Sequence, residues 1–402
     1  FDPTGSVAEP LFEYLSQPVA REASIVTGAA LIIVGLVLAI LACCAKDTID
    51  VAVGCLQVAA KVIFSMPWVL LQTVVCSVLK VALLAVLLYY LLHLVACGAV
   101  AQKSIQIGTF AVSGLHGTVS FTTEQIYMLW IFGFGIVWLM EVCNAIQTYA
   151  IAYATVAWYY TPKNENGSKR CEGFGGLSLV ITGLLNCVVF HSGTVAVGAF
   201  LIALVRGLQF LMYLIDKEAD AQENRVTQCI ARSCFCCLDC FEQCLAGINK
   251  NAYIHSAIYS THFMPSAMQG LDFISRQRSE ITVLNGATFI AQLVCVGSIT
   301  ACGVFCSWAV LTEGYISEQT VFNPDMVAGV AGVICLAVSS VFMTLLDDVS
   351  DTLLYTFSDH KNTDLSSVPR FAPDNLSDLV DSNRGKHDAH HERRNARGTG
   401  SF

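Results

Sequence analysis

The sequence predicts an all-α, polytopic transmembrane helical bundle with about seven crossings, and three observations predict it. Of the 402 residues, 55% are hydrophobic and only 13% are charged. A soluble chain would have about a quarter of its residues charged. Mean hydropathy is +0.60. The apolar residues are gathered into runs at 23–44, 67–95, 126–161, 175–215, 285–312 and 326–346. Each run has at least about 20 residues, enough to cross a ~30 Å hydrocarbon core as a helix. Open strands would leave backbone groups unsatisfied in lipid, so every run reads as helix.

Taken in order, residues 1–22 read as an external segment and 23–44 as the first crossing. Residues 45–66 place apolar positions at helical spacing, broken by Lys46, Asp47, Asp50 and Lys61. They read as an amphipathic helix lying along the inner membrane surface. The run 67–95 crosses again. The connection 96–125 has only Lys103 and Glu124 as charges and reads as an external loop. The segment 216–284 carries Lys217, Arg225, Arg232, Lys250, Arg276 and Arg278, and reads as cytoplasmic.

The chain must then cross an odd number of times between 125 and 216. The runs 126–161 and 175–215 would reach about 54 Å and about 62 Å as helices, too long for one ordinary crossing each. Three crossings are economical, with one run broken in two. The break is placed near "NCVVFHSGTV", 186–195, where Asn186, His191 and Gly193 interrupt the longer run. "EVCNAIQ" in the other run is the rival, favoured by the sequon at Asn166. Lys163, Lys169 and Arg170 favour the first choice.

Residues 245–284 are helix-like but too polar for a span, and read as interfacial or packed helices. The last two runs form a hairpin. From 359 to 402 the chain is polar and charged and reads as a disordered cytoplasmic tail. The transmembrane domain is thus 23–358, including the helix 45–66 and the cysteine-rich cytoplasmic segment 216–284. The chain begins Phe-Asp-Pro, without Met or a signal peptide, and reads as a fragment. The net charge of −9 argues against a nucleic-acid partner.

An ionised carboxylate in hydrocarbon is expensive, so Glu141, inside the run 126–161, is the first candidate functional residue. At 100° per residue, Tyr127, Trp130, Phe134, Trp138, Glu141, Tyr149, Tyr153 and Tyr160 share an arc of about 140°. A carboxylate beside aromatic faces suits a quaternary ammonium or another soft cation. Trp138, Glu141, Tyr149 and Lys80 are therefore the candidate substrate-binding residues, and for the aromatic arc an ordinary packing face is the alternative. Lys80, in the middle of 67–95, either pairs with a carboxylate such as Glu141 or faces a water-filled path. His191 reads as a helix-end or hydrogen-bonded histidine, and Arg206 lies in the same run.

The cluster "CIARSCFCCLDCFEQC", 229–244, has one C-x-x-C without a second pair at zinc spacing. Reduced thiols at the inner surface, some of them palmitoylated, are the reading there. No cofactor or metal is expected. No phosphate loop, H-E-x-x-H or Ser/His/Asp arrangement is present, so the chain does not read as an enzyme.

The block "CLDCFEQCLAGINKNAYIHSAIYSTHFMPSA", 237–267, resembles the choline transporter-like family. Asn249, Asn251, Ala252, Tyr253, Ile254, Ala257, Ile258, Tyr259, Ser266 and Ala267 match its pattern, and Ser260 stands where glycine is usual. "HSGTVAVGAFLIALVR", 191–206, "AYATVAWYY", 152–160, and "VSDTLLYTFSD", 349–359, extend the resemblance to roughly 45–360. Family members have about ten spans, so the resemblance implies a fragment lacking the first three and the external loop. It also implies a multi-pass protein, of the plasma membrane or an organelle, that moves choline or a similar organic cation by alternating access. Glu141 matches no family signature and stands on the residue argument alone. The rival class is a non-transporting scaffold or lipid-organising protein. A channel would want charge rings or a filter loop.

Overall fold

The computed structural model describes residues 46–107, 110–162, 169, 176–222, 224–312, 324–364 and 366–373. Residues 1–22, expected as an external segment, the run 23–44, the sequon at Asn166 and the distal tail lie outside the described residues. Helix α1 (Lys46–Ser65) gives way at Met66 to α2 (Pro67–Ala96). Pro67 starts the new helix because it has no N–H to leave orphaned in a first turn. The apolar face of α1, with Cys55, Val58, Ala59 and Val62, is buried within the protein. Val53 and Phe64, on the other side of the helix, are exposed. Its stripe is used for packing.

Residues 96–125, expected as a loop, contain an antiparallel hairpin of β1 (Ala99–Ile107) and β2 (Phe110–Ser120). Its register runs from Ala99 opposite Ser120 to Ile107 opposite Phe110, with a shift between Gln102 and Ser104. The bundle itself is helical, as expected. Helix α3 (Thr123–Tyr159) opens with a capping box. Thr122 Oγ1 accepts from the Gln125 backbone N–H at 3.4 Å, and Gln125 Oε1 accepts from Thr122 N–H at 2.9 Å.

Helix α3 is continuous over 37 residues, so the rival break at "EVCNAIQ" does not occur. The break falls at His191, between α4 (Leu177–Phe190) and α5 (Ser192–Ala221). Its backbone, at φ −120° and ψ 13°, leaves the helical region. The His191 N–H still reaches the carbonyls of Asn186 at 3.2 Å and Cys187 at 3.1 Å. The ring is buried, with Nδ1 3.2 Å from Ser256 Oγ.

Helices α6 (Arg225–Tyr259) and α7 (Phe263–Arg276) supply the packed helices expected in 245–284. Ser260 ends α6 at φ 55°, in the left-handed region. That explains why glycine suits this position, since a side chain there costs about 1–2 kcal/mol. Helices α8 (Arg278–Thr312) and α9 (Pro324–Thr363) form the expected hairpin. Helices α2, α3, α5, α8 and α9 are long and apolar enough to cross a membrane. Helix α4, with 14 residues, covers only about 21 Å.

Helix α9 continues to Thr363, and α10 (Val368–Phe371) folds back onto the bundle. His360 joins them, Nδ1 3.0 Å from Tyr159 Oη and Nε2 2.7 Å from Ser367 Oγ. The expectation of a disordered tail from 359 is therefore corrected for the described residues up to 373. Those residues carry buried apolar side chains, Val368 and Ala372, that a purely polar tail would lack. The core gathers around the second half of α3, which meets α2, α4, α5, α6 and α9.

Candidate functional site

The second half of α3, the first half of α5 and the second half of α6 line a partly open cavity of about 180 Å³. Glu141, Asn144 and Thr148 come from α3, and Asn249, Lys250 and Tyr253 from α6. Gly198 of α5 makes the approach possible. A Cβ there would collide with the Tyr253 hydroxyl and lie 2.9 Å from the Phe263 ring. Asn249 Nδ2 donates to the Gly198 carbonyl at 2.8 Å, fastening α6 to α5. Two stretches that carry the family resemblance thus meet at one backbone contact.

Glu141 is buried and bound to Arg206 of α5. Arg206 also holds Glu242 of α6, its Nε 2.7 Å from Glu242 Oε1. One guanidinium thus serves two carboxylates, and the trio carries a net −1 when all are ionised. Asn144 Nδ2 donates to Glu141 Oε1 at 3.4 Å, while Asn144 Oδ1 accepts from Lys80 Nζ at 3.0 Å. This corrects the suggested Lys80–Glu141 pair, because an asparagine stands between them. Arg206, with its planar fork of donors, takes the carboxylate instead.

On the far side of the cavity Lys250 meets three carboxylates of α9. Its Nζ lies 2.8 Å from Asp347, 3.0 Å from Asp348 and 2.6 Å from Asp351. Two cavity residues hold polar atoms that are buried and unpartnered among the described residues, Asn249 Oδ1 and Tyr253 Oη. Such atoms cost about 1–3 kcal/mol each when left alone, so both favour a polar guest.

The other sequence candidates lie beside the cavity wall. Trp138 packs edge-on against Phe200 at 5.7 Å and donates from Nε1 to the Ala196 carbonyl at 3.1 Å. Tyr149 is 1% exposed and stacks on His191 at 5.4 Å, bracing the α4–α5 break. Helical periodicity placed them on one arc with Glu141, but the neighbouring helices divide that arc. Arg206, Glu242, Asn249, Lys250 and Tyr253 were not picked as site residues in the sequence. The family-like block around Asn249 and Tyr253 was the signal that could have found them. Cys229, Cys234, Cys236, Cys237, Cys240 and Cys244 are exposed free thiols. Among the described residues no cluster of His, Cys, Asp or Glu could hold a metal ion.

The family profile described as plasma-membrane choline transporter matches residues 29–362. The chain is 26% identical to choline transporter-like protein 1 of Xenopus laevis over 348 residues, covering 84% of this chain and 49% of that protein. It is 25% identical to the Rattus norvegicus protein of the same name, with the same coverage. Choline transporter-like protein 3 of Homo sapiens is 27% identical over 264 residues, 65% of this chain and 38% of that protein. The chain spans about half the length of the type 1 relatives it matches.

Proposed function

The chain belongs to the family described as plasma-membrane choline transporters, and from that premise we propose that it moves choline or a related quaternary ammonium by alternating access. It is an integral, multi-pass membrane protein. The observation that carries the reading is Glu141, a buried carboxylate on a membrane-spanning helix that lines a cavity with Asn249 and Tyr253. A quaternary ammonium has no N–H to donate, so charge and aromatic faces must recognise it. Glu141 supplies the charge and Tyr253 the aromatic face. Asn249 Oδ1 and Tyr253 Oη are free to meet the substrate hydroxyl.

Arg206 is the internal competitor for Glu141. Because it also holds Glu242, it can lean on that partner while the substrate cation takes Glu141. Neither carboxylate is then left alone in a region where an unpaired charge is costly. Trp138, Tyr149 and Lys80 act from behind, the first two by fixing α3 against α5 and Lys80 by orienting Asn144.

Glu141→Gln tests this in the purified full-length protein reconstituted into vesicles with labelled choline. The half-saturating choline concentration should rise about tenfold or more, the equivalent of at least about 1.4 kcal/mol. Folded yield should hold, because Arg206 keeps Glu242. Unchanged half-saturation would sink the reading, and a fall in folded yield with normal affinity would make Glu141 purely structural.

A further inference from the structure

Helix α6 runs antiparallel to α5 in a constant register, set by Gln228–Asp220 at 2.8 Å, Arg232–Asp216 at 3.0 Å and Arg206–Glu242. At 100° per residue, the six cysteines of 229–244 fall within an arc of about 160°. The exposed Val226, Ile230 and Phe241 lie in the same arc. Ala231, Arg232 and Glu242 occupy the opposite side, where Ala231 is buried and the two charged residues grip α5. The thiol face therefore looks away from the bundle, and all six thiols on it are free.

The register also fixes depth. Asp216, Lys217, Glu218 and Asp220 mark the charged end of α5, and its apolar stretch ends just before them. Cys234, Cys236 and Cys237 lie level with Leu214, Met212 and Leu211, the last apolar turn of α5. Leu211, Tyr213 and Leu214 are themselves exposed, and the Lys217 ammonium sits 5.7 Å from the Tyr213 ring. An aromatic with a basic residue at the end of an apolar helix marks the membrane interface. An acyl chain carried on these three sulfurs would enter the bilayer without crossing a polar layer.

We propose that Cys234, Cys236 and Cys237 are S-acylation sites that take a long-chain fatty acyl group from an acyl thioester. The cysteine sulfur, as thiolate, attacks the thioester carbonyl carbon and forms the new S–C bond. The donor C–S bond breaks, and the donor sulfur leaves and takes up the proton that the cysteine lost. No oxidant or reductant is needed. Cysteines on an amphipathic helix at a membrane surface are the pattern this chemistry uses, and each buried methylene of the chain adds to the hold of α6 on the bilayer.

The test uses the full-length protein expressed in cells. Free thiols are blocked with N-ethylmaleimide, thioesters are cleaved with neutral hydroxylamine, and the freed thiols are coupled to a maleimide–polyethylene glycol mass tag. A hydroxylamine-dependent shift is expected in the wild type. It should be lost in the triple change Cys234→Ser, Cys236→Ser, Cys237→Ser and kept in Cys302→Ser/Cys306→Ser on α8. Absence of the shift, or its persistence in the triple variant, would overturn the proposal. Mass spectrometry of the wild-type peptide containing Cys234–Cys237 decides the matter independently of how well the variant folds. An acyl-bearing peptide supports the assignment and an unmodified one refutes it.

Discussion

The two halves of α3 are one helix of similar apolar character in opposite surroundings. In the first half, Tyr127, Met128 and Ile131 are 61–72% exposed. In the second, Tyr149, Ile151, Ala152 and Ala154 are at most 1% exposed. The difference lies in residue size and polar partners. The second half has alanines at 145, 150, 152 and 154, which let neighbouring helices come close, and within a membrane such contact drives helix association. The first half has small residues too, yet a Cβ at Gly133 or Gly135 would meet no described atom within 4 Å. Small residues permit close packing without causing it. Facing groups, such as Asn249 on Gly198 or Arg206 on Glu141, decide where it happens.

Breaking the packed region through its charges should have the largest effect. Lys250→Met would leave Asp347, Asp348 and Asp351 together without their cation, and removing one partner of a buried ion cluster costs about 3–5 kcal/mol. Thermal unfolding in detergent should show a large drop in midpoint or no folded protein. A midpoint near that of the wild type would mean the cluster does not hold α6 to α9.

Gly198→Ala probes the close approach directly. The new methyl must displace Tyr253, which should cost about 1–3 kcal/mol through overpacking. The same variant should lose choline affinity, because Tyr253 lines the cavity. A neutral result in both assays would show that α5 and α6 are less tightly seated than the geometry requires.

Gly133→Ala sharpens the contrast from the other half of α3. With open space around it, the change should stay within about 0.5 kcal/mol. A drop comparable to that of Gly198→Ala would show that the first half of α3 is covered in the full-length protein.

Much of this was legible in the sequence because the bilayer leaves the backbone little choice. Hydropathy and run length named the spanning helices, since backbone groups in lipid must be satisfied within the segment. The break at His191 was readable as a cluster of polar and small residues inside a run too long for one crossing. The amphipathic stripe of α1 was readable too, but whether it met lipid or protein was not, because both are apolar. For the same reason the 140° aromatic arc of α3 could not be divided between Phe200, His191 and the cavity. Glu141 was marked in sequence as a residue needing a partner. The choice of Arg206 over Lys80 came from tertiary structure alone, because those three residues sit on separate helices and only packing sets which side chains meet. Lys250 and its three aspartates lie about 100 positions apart and follow the same rule. Local chemistry states that a buried charge must be compensated, and the packing of helices selects the group that does it.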